Sequence, residues 1–282
     1  MVVDIHAHVV IPGFGAEPPP AAVREFSDLP RILEEQDRAG VDVVVLCPWV
    51  KLLDREPERQ NEALAGLVGD RVACLGTVPL ERPELLAELV RDGRLSGVEV
   101  AASVDGDYLG ADRFRPFWAA AEESGVLVFV HPTTMGLGIE ALQAHYLWNT
   151  VGNPTETTIT AAQLVMQGVM DDHPNLKVVL AHGGGGITAL RGRLQHAQTF
   201  KPPGRDVLAA IGRFYFDTVV FDPGVLRALV DFAGPERVLL GSDYPFDMGD
   251  ERPTEVVRAL RLPADEEGAI VGGNALRLIG RA

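Results

Sequence analysis

Apolar residues recur along this chain in two alternating patterns. Short β-rich runs lie at Met1–His8, Val41–Pro48, Val72–Pro79, Gly97–Ala101, Val126–His131, Lys177–His182, Phe214–Val220 and Val238–Asp243. Several are unbroken, such as VDVVVL, VLVFV and KVVLA, which suits strands buried on both faces of a parallel sheet. Helical spacing fills the gaps. Leu29–Ala39 follows Asp28, an N-cap residue type, with Pro30 in the first turn. Phe114, Phe117, Trp118 and Ala121 share one face of a segment that Gly125 ends, and Ala161, Leu164, Val165, Gly168 and Val169 form a stripe in Glu156–Asp172. Ile187, Leu190 and Leu194 make another stripe, and Asp222-Pro223 opens a helix ending near Ala233. Strand and helix alternating eight times predicts an α/β fold, either a closed (β/α)8 TIM-like barrel or a large doubly wound sheet. No Gly-x-Gly-x-x-Gly follows the first run, which removes the main support for a dinucleotide-binding sheet. No Pro/Gly/Ser linker divides the chain, so residues 1–282 are expected to form one domain. Pro12–Pro20 and Pro132–Pro154 read as long loops leaving the first and fifth strands, where barrel enzymes build their sites.

The polar residues that interrupt this pattern most sharply sit at strand ends. His6 and His8 close the first run, His131 the fifth, His182 the sixth and Asp243 the eighth. In a barrel those ends point into one shared mouth. Residues i and i+2 of a strand share a face, so His6 and His8 make a two-imidazole clamp. A histidine or aspartate at the tip of an apolar strand is costly unless partnered, and five on one rim predict a metal site. His6, His8, His131 and Asp243 are the expected ligands. Imidazoles with one carboxylate and no thiolate suit Zn²⁺, with Mn²⁺, Fe²⁺ or Co²⁺ as alternatives. His182 is then expected as acid/base, with Asp243 as a second proton carrier in a hydrolytic reaction.

Other residues are weighed against plainer roles. Gly183–Gly186 allow a tight helix entry, and their N–H groups are candidates to hold an anion. Arg193 carries the fork that a substrate carboxylate takes. Glu99 on the fourth strand is placed to face the mouth. Phe246 and Trp148 are candidate substrate-packing residues, and Thr155 or Thr157 are expected as helix caps. His145, His173 and His196 have no strand-end placement and read as surface or interface residues.

The overall balance narrows the partners. A net charge of -15 disfavours nucleic acid and anionic membranes. It leaves room for a small anionic substrate beside a metal. Cys47 and Cys74 lie inside apolar runs and read as buried thiols of a reducing compartment. No run reaches membrane-span length and the start lacks a basic, apolar leader, so a cytoplasmic location is expected.

Taken together, DIHAH, VFVHPT, NPTETT, LKVVLAHGGG with Gly192-Arg193, FYFDTVVFDPGVL and RVLLGSDYPF resemble the amidohydrolase superfamily. Within it they resemble the branch of α-amino-β-carboxymuconate-ε-semialdehyde decarboxylase and related aromatic-acid decarboxylases. The resemblance implies a mononuclear Zn²⁺ on His6, His8, His131 and Asp243. It implies that His182 orients or deprotonates the metal water and supplies the proton that replaces CO2. It also implies that Arg193 binds the substrate carboxylate from a neighbouring subunit of a dimer. The expected activity is non-oxidative decarboxylation of an unsaturated or aromatic carboxylic acid; hydrolysis of an amide or lactone, or hydration of an unsaturated acid, uses the same residues. Two departures stand out. The fourth strand, GVEVAAS, has no lysine, against the binuclear hydrolases with a carboxylated lysine. The segment after the first strand, Val9–Leu29, is short, and Arg24 is the one basic residue it offers to a substrate.

Overall fold

The computed structural model describes residues 1–14, 25–200 and 205–281. Arg24 and much of the Pro/Gly-rich stretch lie outside the described residues. Eight parallel barrel positions appear where the apolar runs predict them. They are β1 (Val3–Val9), β2 (Val43–Pro48), β3 with β4 (Val72–Cys74 and Gly76–Thr77), β5 (Gly97–Ala101), β8 (Leu127–His131), β9 (Lys177–Leu180), β10 (Tyr215–Asp217) and β11 (Val238–Leu239). A small antiparallel pair, β6 (Ser103–Val104) and β7 (Asp107–Tyr108), follows the fourth position and is not signalled by the pattern.

Hydrogen-bonded order runs β1-β2-β3 and β11-β10-β9-β8-β5-β4. The third position joins both sets, because Leu75 between its halves still donates to Leu46. The seam closes where Ile5 donates to Leu240, Asp243 to His6, and His8 to Tyr244. A closed barrel, not an open doubly wound sheet, is the result.

Side chains sort into two cores. Val3, Ile5, Val45, Cys47, Leu75, Leu127, Phe129, Val179 and Leu239 fill the barrel interior. Val98, Val100, Val128, Val178 and Phe216 pack outward against helices, with Phe114, Phe117 and Trp118 among their partners. Strands apolar on both faces follow from this double packing. Cys47 and Cys74 are fully buried free thiols.

Local signals mostly set the helix ends. Asp222 caps Pro223–Ala233 by accepting from Val225 N at 2.9 Å. Asp28 precedes Leu29–Ala39 as expected, yet its carboxylate makes no cap bond. The stripe through Gly168 is broken: the helix Asn153–Met166 stops, and Gly168 turns left-handed at φ 82° before Val169–Asp172. That backbone conformation is one that residues with a Cβ rarely adopt, which favours glycine there. Leu190 is 44% exposed, so the Ile187 stripe does not face inward throughout.

Candidate metal centre

The His-x-His pair faces inward because β1 slips phase. Val3 and Ile5 point into the barrel, while Ala7 and Val9 point toward the helices. The pairing with β2 passes from Asp4↔Val44 to Ala7↔Leu46, an irregularity of one residue. That slip puts Ile5, His6 and His8 on the inner side together. His131 ends β8, and His182 follows β9. His182 and Asp243 take left-handed backbones, φ 57° and 59°, costing roughly 1 kcal/mol each for residues with a Cβ. His182 N is held by Asp217 at 3.0 Å and Asp243 N by the carbonyl of His6 at 2.7 Å.

The five predicted residues meet. His6 Nε2 lies 3.1 Å from His8 Nε2 and 3.1 Å from Asp243 Oδ1. Asp243 Oδ1 is 3.4 Å from His8 Nε2 and 4.0 Å from His131 Nε2. His182 Nε2 approaches Asp243 Oδ2 at 3.4 Å. One ligand atom each from His6, His131, His182 and Asp243 falls within 4.8 Å of the others.

The far ring nitrogens say which atoms face the centre. His6 Nδ1 meets Asp217 Oδ2 at 2.7 Å, His131 Nδ1 meets the carbonyl of Pro132 at 2.8 Å, and His8 Nδ1 meets the carbonyl of Pro48 at 3.4 Å. Carbonyls and carboxylates only accept, so each Nδ1 carries a hydrogen and each Nε2 of a neutral ring is a bare lone pair. Three lone pairs and a carboxylate oxygen therefore crowd together, and buried His131 Nε2 and Asp243 Oδ1 have no hydrogen-bond partner. Acceptors facing acceptors repel unless a cation stands between them. Donors bound to one first-row ion at ~2.0–2.2 Å sit about 3.4 Å apart in tetrahedral geometry, a value that the observed spacings of 3.1 to 4.0 Å bracket. The residues fit a divalent metal.

Charge gives the same picture. Burial opposes charge on His6, but the attraction of Asp243 and the bonds to Asp217 and Asp243 prevail, raising its pKa to about 10. A proton then stands where the cation would. Burial lowers His8, and burial with the neighbouring imidazoles lowers His131 well below the usual range. Burial works against the charge on Asp243, yet His6, the hydrogen bond from His182 and the other imidazoles hold its carboxyl well below the ordinary value.

Three carboxylates that the sequence did not single out build the frame. Asp217, ending β10, accepts from His6 Nδ1, His182 N, Gly183 N and Val219 N. Asp4 accepts from His6 N and Ser242 N at 3.0 Å each, and from the Ser242 hydroxyl, tying β1 to the turn that carries Asp243. Glu156 is fully buried and holds the turn after His131. A carboxylate in the middle of the apolar run Phe214–Val220 was a readable signal for Asp217; the other two offered none.

Several expectations are corrected. The glycine N–H groups are not free for an anion: Gly183 donates to Asp217, Gly184 to Ala181, Gly185 to His182 and Gly186 to Thr158 Oγ1. Glycine is still required, because a Cβ on Gly185 would sit 2.0 Å from the Pro154 carbonyl. Thr155 and Thr157 do not cap; they bond back to Val151 and Asn153, because the helical turn Trp148–Gly152 already precedes them. Glu99 borders the metal centre beside His8 and His131 rather than standing among the five. It pairs across from Phe129, one layer below His131, with both oxygens unpartnered and Oε1 4.0 Å from His8 Nδ1. Burial pushes its carboxyl well above the usual range. With His8 and His131 it forms an adjoining cluster.

The candidate substrate residues lie variously. Phe246 packs 5.0 Å from the His8 ring, and Trp148 meets Tyr146 edge-on at 5.0 Å. Tyr146 donates to Asp247, linking the fifth-strand loop to the turn after Asp243. Arg193 is exposed on the helix Ile187–Ala197 and has no ion-pair partner among the described residues. His173 pairs with Glu122 at 3.1 Å, and His196 packs on Phe200, both away from the centre.

Comparison with known proteins follows the same lines. A family model described as amidohydrolase matches residues 3–281. The 2-amino-3-carboxymuconate-6-semialdehyde decarboxylase of Dictyostelium discoideum is 30% identical over 274 residues, covering 88% of this chain and 75% of the relative. The crystal structure of 5-carboxyvanillate decarboxylase from Sphingomonas paucimobilis superposes with a TM-score of 0.87 at 24% identity, covering 99% of this chain and 98% of that one. The 5-carboxyvanillate decarboxylase of Novosphingobium aromaticivorans, crystallised with manganese and 4-hydroxy-3-methoxy-5-nitrobenzoic acid, superposes with a TM-score of 0.85 at 19% identity, over 99% and 96% of the chains. At these identities the two crystal structures speak to the shared fold.

Proposed function

The chain belongs to the amidohydrolase family, and on that premise we propose that it is a metal-dependent, non-oxidative decarboxylase of an unsaturated or aromatic carboxylic acid. The observation that carries the reading is the convergence of three Nε2 lone pairs and the Asp243 carboxylate on one buried point. The Dictyostelium discoideum relative, a decarboxylase 30% identical to this chain, supports the reaction class.

His6, His8, His131 and Asp243 would hold the metal, with Zn²⁺ the ion their donor set suits best and Mn²⁺, Fe²⁺ or Co²⁺ as alternatives. When bound, it supplies a Lewis acid for a substrate oxygen and for water. His182 differs from the three ligand imidazoles in two ways. Its side chain is the most exposed of the five, at 12%, and no acceptor pins its Nδ1. Its Nε2 is therefore free to carry a proton toward the mouth beside Asp243. In the proposed step that proton passes to the carbon bearing the carboxylate. The C–C bond then breaks, CO2 leaves, and the bonding pair restores the conjugated system. Phe246 and Trp148 would pack the ring, and Arg193 the carboxylate. Because Arg193 points outward on the helix that exposes Leu190, it would serve a neighbouring subunit, making the working unit a homodimer. No described helix is long and apolar enough to cross a membrane; a cytoplasmic, single-domain enzyme is the reading we favour.

Incubation of metal-loaded protein with carboxylated aromatics and unsaturated acids tests this. CO2 release with a hydrogen at the vacated carbon is expected. Uptake of water without CO2 would assign hydrolysis or hydration instead. His182→Ala should keep its metal and lose turnover; full activity would remove it as the proton carrier.

A further inference from the structure

Resting on the metal-centre reading, a second inference concerns how His131 is aimed. Glu156 projects from the helix Asn153–Met166 and is 0% exposed. Its Oε2 accepts from Thr133 N at 3.1 Å, Thr134 N at 2.9 Å and Thr134 Oγ1 at 2.6 Å, and its Oε1 accepts from Ser103 Oγ at 2.8 Å. The Thr133 N–H belongs to the same peptide unit as the Pro132 carbonyl, which accepts from His131 Nδ1 at 2.8 Å. A peptide unit is planar, with its N–H and C=O opposed, so holding one end fixes the other. Polarising the N–H also strengthens the carbonyl as an acceptor.

We propose that Glu156 is a positioning residue for the metal centre, acting through the Pro132–Thr133 peptide to keep the Nε2 of His131 facing the ion. Asp217 does the same for His6 by direct contact at 2.7 Å; Glu156 acts one peptide farther out. The need is local. The chain leaves β8 at His131 for a long connection, and Pro132 has no N–H of its own to anchor it. Without the carboxylate nothing described holds that peptide, and its carbonyl could turn away from the ring.

The test is Zn²⁺ affinity, measured against a competing chelator, in the wild type, Glu156→Ala, His131→Ala and the double variant. Glu156→Ala should weaken binding about 10- to 100-fold, the usual cost of losing an outer partner of a ligand. In the His131→Ala background the same change should matter less than about 3-fold, because the ring it aims is gone. Glu156→Gln should stay within about 3-fold of wild type, since its carbonyl oxygen can take the three Thr donors while its amide donates to Ser103. If Glu156→Ala does not fold, Glu156→Asp withdraws the carboxylate by one methylene and should show the same dependence on His131. Wild-type affinity in Glu156→Ala, or an equal loss with and without His131, would overturn the inference while leaving the metal centre standing. A wild type that takes up no stoichiometric Zn²⁺ would defeat the metal-centre reading and this inference with it.

Discussion

Replacing Asp217 by asparagine should damage the centre more than its single-atom change suggests. All four groups around this carboxylate are donors: His6 Nδ1 at 2.7 Å, His182 N at 3.0 Å, Gly183 N at 2.7 Å and Val219 N at 3.1 Å. Burial alone would raise its pKa, but the bond from His6 and the nearby His6 and His182 hold it below the usual range, so it is ionised. An asparagine keeps one acceptor oxygen and must turn its NH2 against two donors. Facing Gly183 and Val219, the amide leaves two buried N–H groups unpaired. Facing His6, it forces the ring hydrogen onto Nε2, where it blocks the metal. Hydrogen bonds to a charged acceptor are worth about 1.5–3 kcal/mol each, so metal-free Asp217→Asn should lose roughly 3 kcal/mol of stability. Its metal affinity should fall about 10- to 100-fold, or ~1.4–2.8 kcal/mol. Thermal melts in chelator read the first quantity, and Zn²⁺ titration against a chromophoric chelator reads the second. A destabilised variant with undiminished affinity would show that Asp217 only ties loops together and does not set the His6 tautomer.

Other expectations follow from the same structure. Glu99→Met removes two buried oxygens that have no partner, so the metal-free protein should gain about 1–3 kcal/mol; a lower melting temperature in chelator would mean the carboxyl has a partner after all. Asp171 is opposed by burial but held below the usual carboxylate range by Arg205 and Arg213. Its stabilising contribution should be complete above the unfolded value near pH 4 and drain away as pH falls through the folded one. Asp171→Asn should therefore flatten the acid limb of a stability–pH curve, and an unchanged limb would refute the pairing as a source of stability. Arg193→Ala should raise KM with metal content intact, and an unchanged KM would count against its contact with substrate.

Much of this was legible in the sequence for a simple reason. Strands buried on both faces are apolar throughout, so a histidine or aspartate at their tips stands out, and the barrel gathers such tips at one mouth. His6, His8, His131, His182 and Asp243 were all readable in that way. The carboxylates behind them were not. Asp4 and Glu156 act by accepting backbone N–H groups of distant turns, and nothing local distinguishes such an acid from one in water. The glycine run misled for a related cause: its N–H groups are consumed by Asp217, Thr158 and nearby carbonyls. Gly168 ends a helix that periodicity would carry onward, because its left-handed backbone turns the chain there.

The slip in the first strand separates two obligations that a regular strand would bind together. Residues before it answer to the filling of the barrel, and residues after it answer to the ion. Under selection Val3 and Ile5 can be exchanged for other apolar residues without turning either imidazole. Straightening the slip at constant length would instead turn both imidazoles to the helix side and erase the clamp in one event. The ancestry of this site should thus tolerate apolar substitution early in the strand far better than loss of the irregularity itself.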